Sequence, residues 1–261
     1  MNPLESGAAE TAPSPAPSTP SIGRSRAAPG ASSLDRLFYV AMAFAAAAAV
    51  AIGFAPTFYL RSRFEGTPLP VALAIHGTVF TAWIALFAAQ TLLVAGRRPA
   101  WHRRLGILGA ALAPAMIVAA LSAAILAGRR DVAAGYGEAA LAFFATPVTS
   151  IGVFAVLAGA AFARRARPET HKRLMLLATI SILDPAVGRW PIEVFATSPL
   201  AYYGVPDAMI VAAMLYDAAA RGRVAPAYLW GGAFIVASQF ARETVGTTGV
   251  WQAFAAAILS T

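Results

Sequence analysis

The sequence predicts an all-α protein, a polytopic transmembrane helix bundle of about seven spans. Apolar residues make up 59% of the 261 positions and charged residues only 12%, about half the charged share of ordinary soluble domains. Several apolar runs exceed the roughly 20 residues needed to cross a bilayer. The net charge is +8, but the basic residues cluster at the ends of the apolar runs, which is typical of membrane topology signals and not of nucleic-acid binding.

The chain divides into a tail, a bundle and a short C-terminal segment. Residues 1–32 are rich in Pro, Ser, Thr and Ala and are predicted to be a disordered cytoplasmic tail. Residues 33–249 are the predicted bundle, and residues 250–261, with Trp251 and Phe254, are a predicted interfacial segment. The predicted spans are 35–56, 70–95, 104–127, 139–163, 172–195, 206–220 and 226–245. The fifth is interrupted at Asp184-Pro185 and the sixth is short, so that five or six spans stay open as alternatives.

The placement of Lys and Arg predicts the orientation of the bundle. Fourteen basic residues fall in the tail and in the loops after spans two, four and six, whereas six fall on the opposite side. We therefore expect a bacterial inner (cytoplasmic) membrane protein with a cytoplasmic N-terminus and a periplasmic C-terminus. Its expected partner is the lipid bilayer, with no nucleic acid; a membrane protein partner or a homo-oligomer stays open.

A seven-residue phrase occurs twice, over residues 99–105 and 168–174, and both copies read Pro-x-x-His-basic-Arg-Leu. Each copy is predicted to begin a span at the cytoplasmic side. The proline suits the first helical turn, because its missing N–H loses no hydrogen bond there. The copies lie 69 residues apart, which predicts a diverged parallel repeat in which spans two and three match spans four and five.

The two copies of the phrase contain two of the three histidines and the only lysine of the chain, so they are the first candidates for a cofactor-binding site. On neighbouring helices at one depth, His102 and His171 suit the two axial positions of a b-type haem, with Arg103, Arg104 and Arg173 near its propionates. They equally suit a quinone carbonyl, or a metal held through nitrogen. The alternative is that both histidines face phosphate headgroups and bind no cofactor.

A second set of polar residues falls in the other half of the predicted bundle. His76 lies about five residues inside span two, at a depth where ionisable groups often mark function. Asp184-Pro185 breaks span five, and a broken helix with a charge at the break is typical of transporter binding sites. Arg189, Asp207 and Arg242 fall on the same side. These residues form either structural ion pairs or a ligand or proton site.

The sequence also excludes several classes of function. A microbial rhodopsin needs a lysine in its last span, and Lys172 is at the wrong helix and membrane face. The absence of cysteine excludes disulfides, thiolate metal sites and iron–sulfur clusters. No Walker loop, Gly-x-Ser-x-Gly elbow or His-Glu-x-x-His motif occurs. No catalytic residue and no metal site is predicted, and whether the protein is an enzyme stays open.

Several strings of the chain carry a family resemblance. They are Ile75-His76-Gly77-Thr78 with Trp83 and Gln90, His102-Arg103-Arg104-Leu105-Gly106, His171-Lys172-Arg173-Leu174-Met175 and Arg221-Gly222-Arg223. Through them the chain resembles a broad group of uncharacterised bacterial multi-pass membrane proteins with paired His-Arg and His-Lys helix starts. More distantly, it is similar to b-type cytochrome and oxidase-assembly membrane families. It departs from the group at Ala225-Pro226, where a His-Pro pair is expected.

Two functions are therefore expected from the sequence. The first is a redox-linked role that binds b-type haem or a quinone through His102 and His171, together with His76. The second is a non-enzymatic transporter, assembly factor or scaffold, whose site is the polar set of Asp184, Arg189, Asp207 and Arg242.

Overall fold

The computed structural model describes residues 33–64 and 66–260, and this part of the chain contains helices and no strand. The predicted tail, residues 1–32, lies outside the described residues. In the described part, twelve α-helices follow one another: α1 Ser33–Phe54, α2 Arg61–Phe64, α3 Val71–Ala95, α4 Pro99–Ala133, α5 Gly137–Phe143, α6 Ala145–Ala163, α7 Pro168–Ile180, α8 Asp184–Val187, α9 Glu193–Thr197, α10 Pro199–Arg221, α11 Pro226–Gly246 and α12 Gly249–Leu259. A π-helical segment, Ala55–Tyr59, continues α1.

Four stretches are long and apolar enough to cross a membrane, namely Ser33–Tyr59, Val71–Ala95, Pro99–Ala133 and Gly137–Ala163. They coincide with the first four predicted spans, and they are the helices expected of an integral membrane protein. The last three predicted spans do not meet the same criterion of length and hydropathy. The helix α7 has only 13 residues, and α10 and α11 carry more polar side chains, so the number seven stays a prediction.

Several helix boundaries differ from the predicted ones. The third predicted span lies inside α4, which has 35 residues. The fourth is divided at Phe144 into α5 and α6. The sixth begins at Pro199 and has 23 residues, because proline is compatible with a first helical turn and the helix then continues through Pro206.

The helices of the predicted repeat form two antiparallel pairs. The helix α3 packs against α4, α6 packs against α7, and α4 packs against α6. The indole of Trp83 lies edge-on to the Phe154 ring, 5.0 Å between centroids, and its N–H donates to Thr179 at 3.2 Å. This contact joins α3, α6 and α7 in one core. The repeat itself stays a prediction, since packing of pairs does not establish a duplication.

The bundle has two ends, which we call the phrase end, where α4 and α7 begin, and the far end. The helix α1 begins at the phrase end and reaches α8 at the far end, where a Cβ on Gly53 would overlap the Ala186 carbonyl. The predicted interfacial segment forms α12 and packs on α4 and α5 at the far end. There the Trp251 indole donates to the Leu141 carbonyl at 2.8 Å.

Candidate functional site

Both copies of the repeated phrase begin a helix at their proline. Pro99 opens α4 and Pro168 opens α7, as the missing N–H of proline predicts. The preceding residues, Arg98 and Arg167, have similar φ angles of −110° and −114°. In each copy the histidine N–H donates to the carbonyl of that arginine, at 3.1 and 2.9 Å. The two histidines therefore occupy the same position in their helices.

These two histidines meet in space. The ring centroids of His102 and His171 lie 6.3 Å apart, with the ring planes at 80°. Nδ1 of His171 lies 2.8 Å from the carbonyl oxygen of Ala161. Because a carbonyl oxygen only accepts, this nitrogen carries the proton and donates. A neutral His171 therefore has its lone pair on Nε2.

The ring of His102 presents a lone pair as well. One ring nitrogen lies near the Gln90 backbone carbonyl, whereas Nδ1 is buried without a hydrogen-bond partner in the described part of the chain. We assign the proton of the neutral ring to Nε2, on the side of this carbonyl, which leaves the lone pair on Nδ1. Oε1 of Gln90 is likewise buried and unpaired, and the Gln90 amide nitrogen lies 3.9 Å from the Cβ position of Gly106. Buried acceptors without donors, each costing about 1–3 kcal/mol, thus gather beside the ring pair.

The separation of the two rings is that of an edge-on contact. A metal ion about 2 Å from each nitrogen would hold ring centres about 6 Å apart, as they are here. Two turns beyond His102, a Cβ on Gly109 would lie 3.4 Å from Leu86 and 3.8 Å from Phe162. These are ordinary van der Waals contacts, so α4 packs on α3 and α6 at this level, and a haem at the ring pair stays a prediction.

The basic residues of the two copies have different surroundings. Arg103 and Arg104 are exposed. Arg173 is only 3% exposed and donates to both carboxylate oxygens of Asp217, at 2.6 and 3.1 Å. It also donates to the Glu169 side chain at 2.9 Å. Its guanidinium is engaged by protein oxygens, so Arg173 is not available to the cofactor carboxylate that the sequence predicted for it.

Six charged side chains form a network at the phrase end that joins α1, α7 and α10. The charge network consists of Asp35, Glu169, Lys172, Arg173, Asp217 and Arg221. Lys172 contacts Asp35 at 2.5 Å and Glu169 at 2.7 Å. Arg221 contacts Asp35 at 2.6 Å and Asp217 at 2.7 Å. Three carboxylates face three cations, so the network as a whole is neutral.

Sequence reasoning did not find this network, although part of its signal was present. Glu169 and Arg173, like Asp217 and Arg221, are four residues apart on one helix, a spacing that pairs opposite charges. Nothing in the spacing indicates that the two pairs meet each other. Desolvation alone would raise the pKa of the Glu169 carboxyl, but hydrogen bonds from Lys172 and Arg173 outweigh it, and the pKa lies below its ordinary value.

The far end contains a buried ion pair at the break that the sequence predicted in span five. The helix α7 ends at Ile180 and α8 begins at Asp184. Nη1 of Arg242, on α11, donates to Oδ2 of Asp184 at 2.6 Å, and both side chains are buried. Separating such a pair is costly, because each charge would be left buried without a partner. Tyr203 lies under the guanidinium, 5.2 Å from its ring centroid, and its hydroxyl is buried and unpaired among the described residues.

Two further residues of the predicted outer set do not join this ion pair. Asp207 accepts a hydrogen bond from Gln239 at 2.9 Å. Arg189 donates to the Pro185 carbonyl at 2.6 Å and is exposed. Asp184 therefore pairs with Arg242 and not with Arg189. Of the four residues in the predicted set, these two form an ion pair, whereas Asp207 and Arg189 bond to other groups.

The third histidine is separate from the phrase histidines. The His76 ring stacks on Phe80, 4.2 Å between centroids, and its Nδ1 is buried without a partner in the described residues. It lies 14 residues before Gln90 on α3, a distance of about 21 Å along a helix. His76 therefore cannot share a ligand with His102 and His171.

In residues 33–64 and 66–260, no three His, Asp or Glu side chains come together as a metal site. No protein-family model matches the chain, and neither a curated protein nor a solved structure matches it.

Proposed function

We propose that the protein is an inner-membrane protein with a redox-linked role, which binds a quinol at His102 and His171. The observation that carries the proposal is the meeting of these two rings, 6.3 Å apart, from helix starts that are 69 residues apart in sequence. The resemblance to b-type cytochrome and oxidase-assembly families favours the same class of role.

The acceptor atoms at the site favour a ligand that carries hydrogen-bond donors. Nδ1 of His102, Nε2 of His171 and Oε1 of Gln90 all accept hydrogen bonds, so a fitting ligand supplies donors. The hydroxyl groups of a quinol are donors, whereas the carbonyls of the oxidised quinone are acceptors and would face other acceptors. Binding of the reduced form is therefore the central expectation.

The test is binding of decylubiquinol to the purified full chain in mild detergent under reducing conditions, measured by tryptophan fluorescence. We expect saturable binding, with affinity reduced about tenfold or more in His102→Leu, because one hydrogen bond to a buried acceptor is lost. The matched control is His76→Leu, which removes the third histidine and leaves binding unchanged. Equal affinity in His102→Leu, or no saturable binding to the native chain, contradicts the proposal. A Soret band in the visible spectrum that disappears in His102→Leu would instead support haem.

We also propose the finer topology of seven crossings, with the phrase end in the cytoplasm. Contacts at both ends support it. The α7–α8 segment runs from the charge network to Asp184, which is about 24 Å of helix. The helix α11 begins beside α1, where the Tyr39 and Tyr228 hydroxyls lie 2.9 Å apart, and reaches Asp184 through Arg242. Each of these elements thus connects the two ends of the bundle.

Because the chain has no cysteine, single cysteines report the topology directly. We expect a membrane-impermeant maleimide to label Ser62→Cys and Ala196→Cys in intact spheroplasts, and to label Ala166→Cys and Arg223→Cys only after lysis. Labelling of Ala166→Cys and Ala196→Cys from the same side would contradict a crossing by α7 and α8.

A second candidate function is that of a transporter, favoured by the ion pair at the helix break. Ser238, which lies 3.4 Å from Nη2 of Arg242, also lines a groove of about 450 Å³ between α6 and α11. The groove would give a solute access to the pair. A transport path predicts that a water-soluble thiosulfonate modifies Ser238→Cys on α11. Gly159→Cys, which lies on α6 outside this groove, should not be modified. Absence of reaction at Ser238→Cys contradicts the transporter function.

A further inference from the structure

An exposed cluster of arginines surrounds the entrance to the histidine pair. The loop between α3 and α4 and the first two turns of α4 supply four of them, and the loop between α6 and α7 supplies three. We call these residues the arginine patch: Arg97, Arg98, Arg103, Arg104, Arg164, Arg165 and Arg167. All seven are exposed. Because His102 and His171 bring the two loops together, the seven charges share one surface.

The arginine patch has no counter-charge in the part of the chain that the structure describes. None of its members forms an ion pair with a carboxylate there. Arg165 donates to a backbone carbonyl, that of Phe162, at 3.2 Å. Arg104 lies 5.3 Å over the ring of Trp101, which is 54% exposed. On the other side of the phrase end, by contrast, the charge network is neutral.

The concentration of unpaired arginines on one side of the phrase end is not needed for topology alone, since dispersed basic residues would set the orientation of the protein equally well. Seven uncompensated guanidinium groups on one surface repel one another and attract a polyvalent anion. Guanidinium groups match phosphate oxygens in geometry, and an exposed tryptophan is typical of the lipid headgroup level.

We propose that the arginine patch binds the phosphate headgroups of anionic phospholipid, as a specific lipid site on one side of the bundle. The site is independent of the quinol proposal, because the patch is exposed whereas the unpaired acceptor of His102 is buried. A specific site differs from general attraction to the membrane in two ways. It saturates with a small number of lipids, and binding is weakened only when residues of the arginine patch are substituted.

The experiment measures retention of phosphatidylglycerol by the full chain in native mass spectrometry, with phosphatidylcholine as the comparison lipid. The double variant Arg97→Gln/Arg165→Gln should bind phosphatidylglycerol about 30-fold more weakly, from the typical attraction of two basic residues to anionic lipid. The matched control is Arg63→Gln/Arg223→Gln, which removes the same charge outside the patch and should leave retention unchanged.

Three results would overturn the proposal. Equal loss of phosphatidylglycerol in the two double variants would mean that net charge, and not the patch, retains the lipid. Equal retention of phosphatidylcholine and phosphatidylglycerol by the native chain would mean that the headgroup charge is not recognised. Displacement of phosphatidylglycerol by the same concentration of inorganic phosphate would assign the patch to a soluble anion and would likewise overturn a lipid site.

Discussion

In the first copy of the repeated phrase, Arg103 and Arg104 are exposed, whereas in the second copy the matching Lys172 and Arg173 lie in the charge network. Both copies nevertheless begin their helices at proline with the same first-turn hydrogen bond. The local structure follows from the phrase, because proline and the helix start require nothing from neighbouring elements. The role of each side chain follows from its surroundings, since only the second copy lies beside Asp35 and Asp217.

The largest expected difference between the copies is at their second basic residue. We expect Arg173→Gln to lower the free energy of unfolding by about 1.5–3 kcal/mol, because the buried Asp217 carboxylate loses its two hydrogen bonds from Arg173 and keeps only Arg221 as a charged partner. The matching substitution Arg104→Gln should change it by no more than about 0.5 kcal/mol, as for other exposed sites. Thermal unfolding of the two variants in the same detergent measures the difference.

A companion variant keeps this prediction testable if Arg173→Gln does not fold. In Arg173→Gln/Asp217→Asn the buried charge is removed as well, so much of the lost stability should return. Equal destabilisation by Arg173→Gln and Arg104→Gln would mean that the two copies have equivalent surroundings after all.

A smaller difference is expected at the two histidines. His171→Leu removes the hydrogen bond from Nδ1 to the Ala161 carbonyl and should cost about 1 kcal/mol. His102→Leu removes the interaction of the ring with the Gln90 carbonyl, but it also removes the buried and unpaired Nδ1, so it should cost less than His171→Leu. The midpoint of chemical unfolding in detergent tests this order. The reverse order would show that Nδ1 of His102 has a protein donor.

The smallest effect is a dependence on pH that only the second copy should show. Because the pKa of Glu169 lies below its ordinary value, its contribution to stability is present above the unfolded pKa of about 4.3. It is lost as the pH falls through the lower pKa of the folded state. In this acid range the melting temperature of the native chain should fall more steeply than that of Glu169→Gln. The exposed Glu193→Gln serves as the control and should follow the native chain.

Much of the fold could be predicted from the sequence, because long apolar runs dictate membrane helices with little reference to tertiary contacts. The helix starts at Pro99, Pro168 and Pro226 and the break before Asp184 were visible for the same reason, since proline acts locally. The division of the fourth span at Phe144 was not predicted, although the sequence contains a local signal for it. Pro147 has no N–H to donate to the carbonyl of Phe143, four residues earlier, which weakens the helix at this point.

The candidate sites were less predictable, because they depend on which helices become neighbours. The partnership of His102 with His171 was predicted from their matching positions. The sequence did not indicate whether Asp184 pairs with Arg242 or with Arg189, which lies closer in sequence. The role of Asp35 was not predicted. A single acidic residue at the start of a span has no sequence pattern that identifies its partners Lys172 and Arg221, which are 137 and 186 residues away.

The central claim is that the two phrase histidines direct lone pairs at a donor ligand, and ¹⁵N NMR of histidine-labelled protein in detergent tests it most directly. The chain has only three histidines, so each signal is assignable by single substitution. We predict a His171 ring protonated at Nδ1 and a His102 ring protonated at Nε2. Addition of decylubiquinol should then shift the His102 Nδ1 and His171 Nε2 signals and leave His76 unchanged. A His102 ring protonated at Nδ1, or a ligand response at His76 as large as that of the pair, would contradict the account.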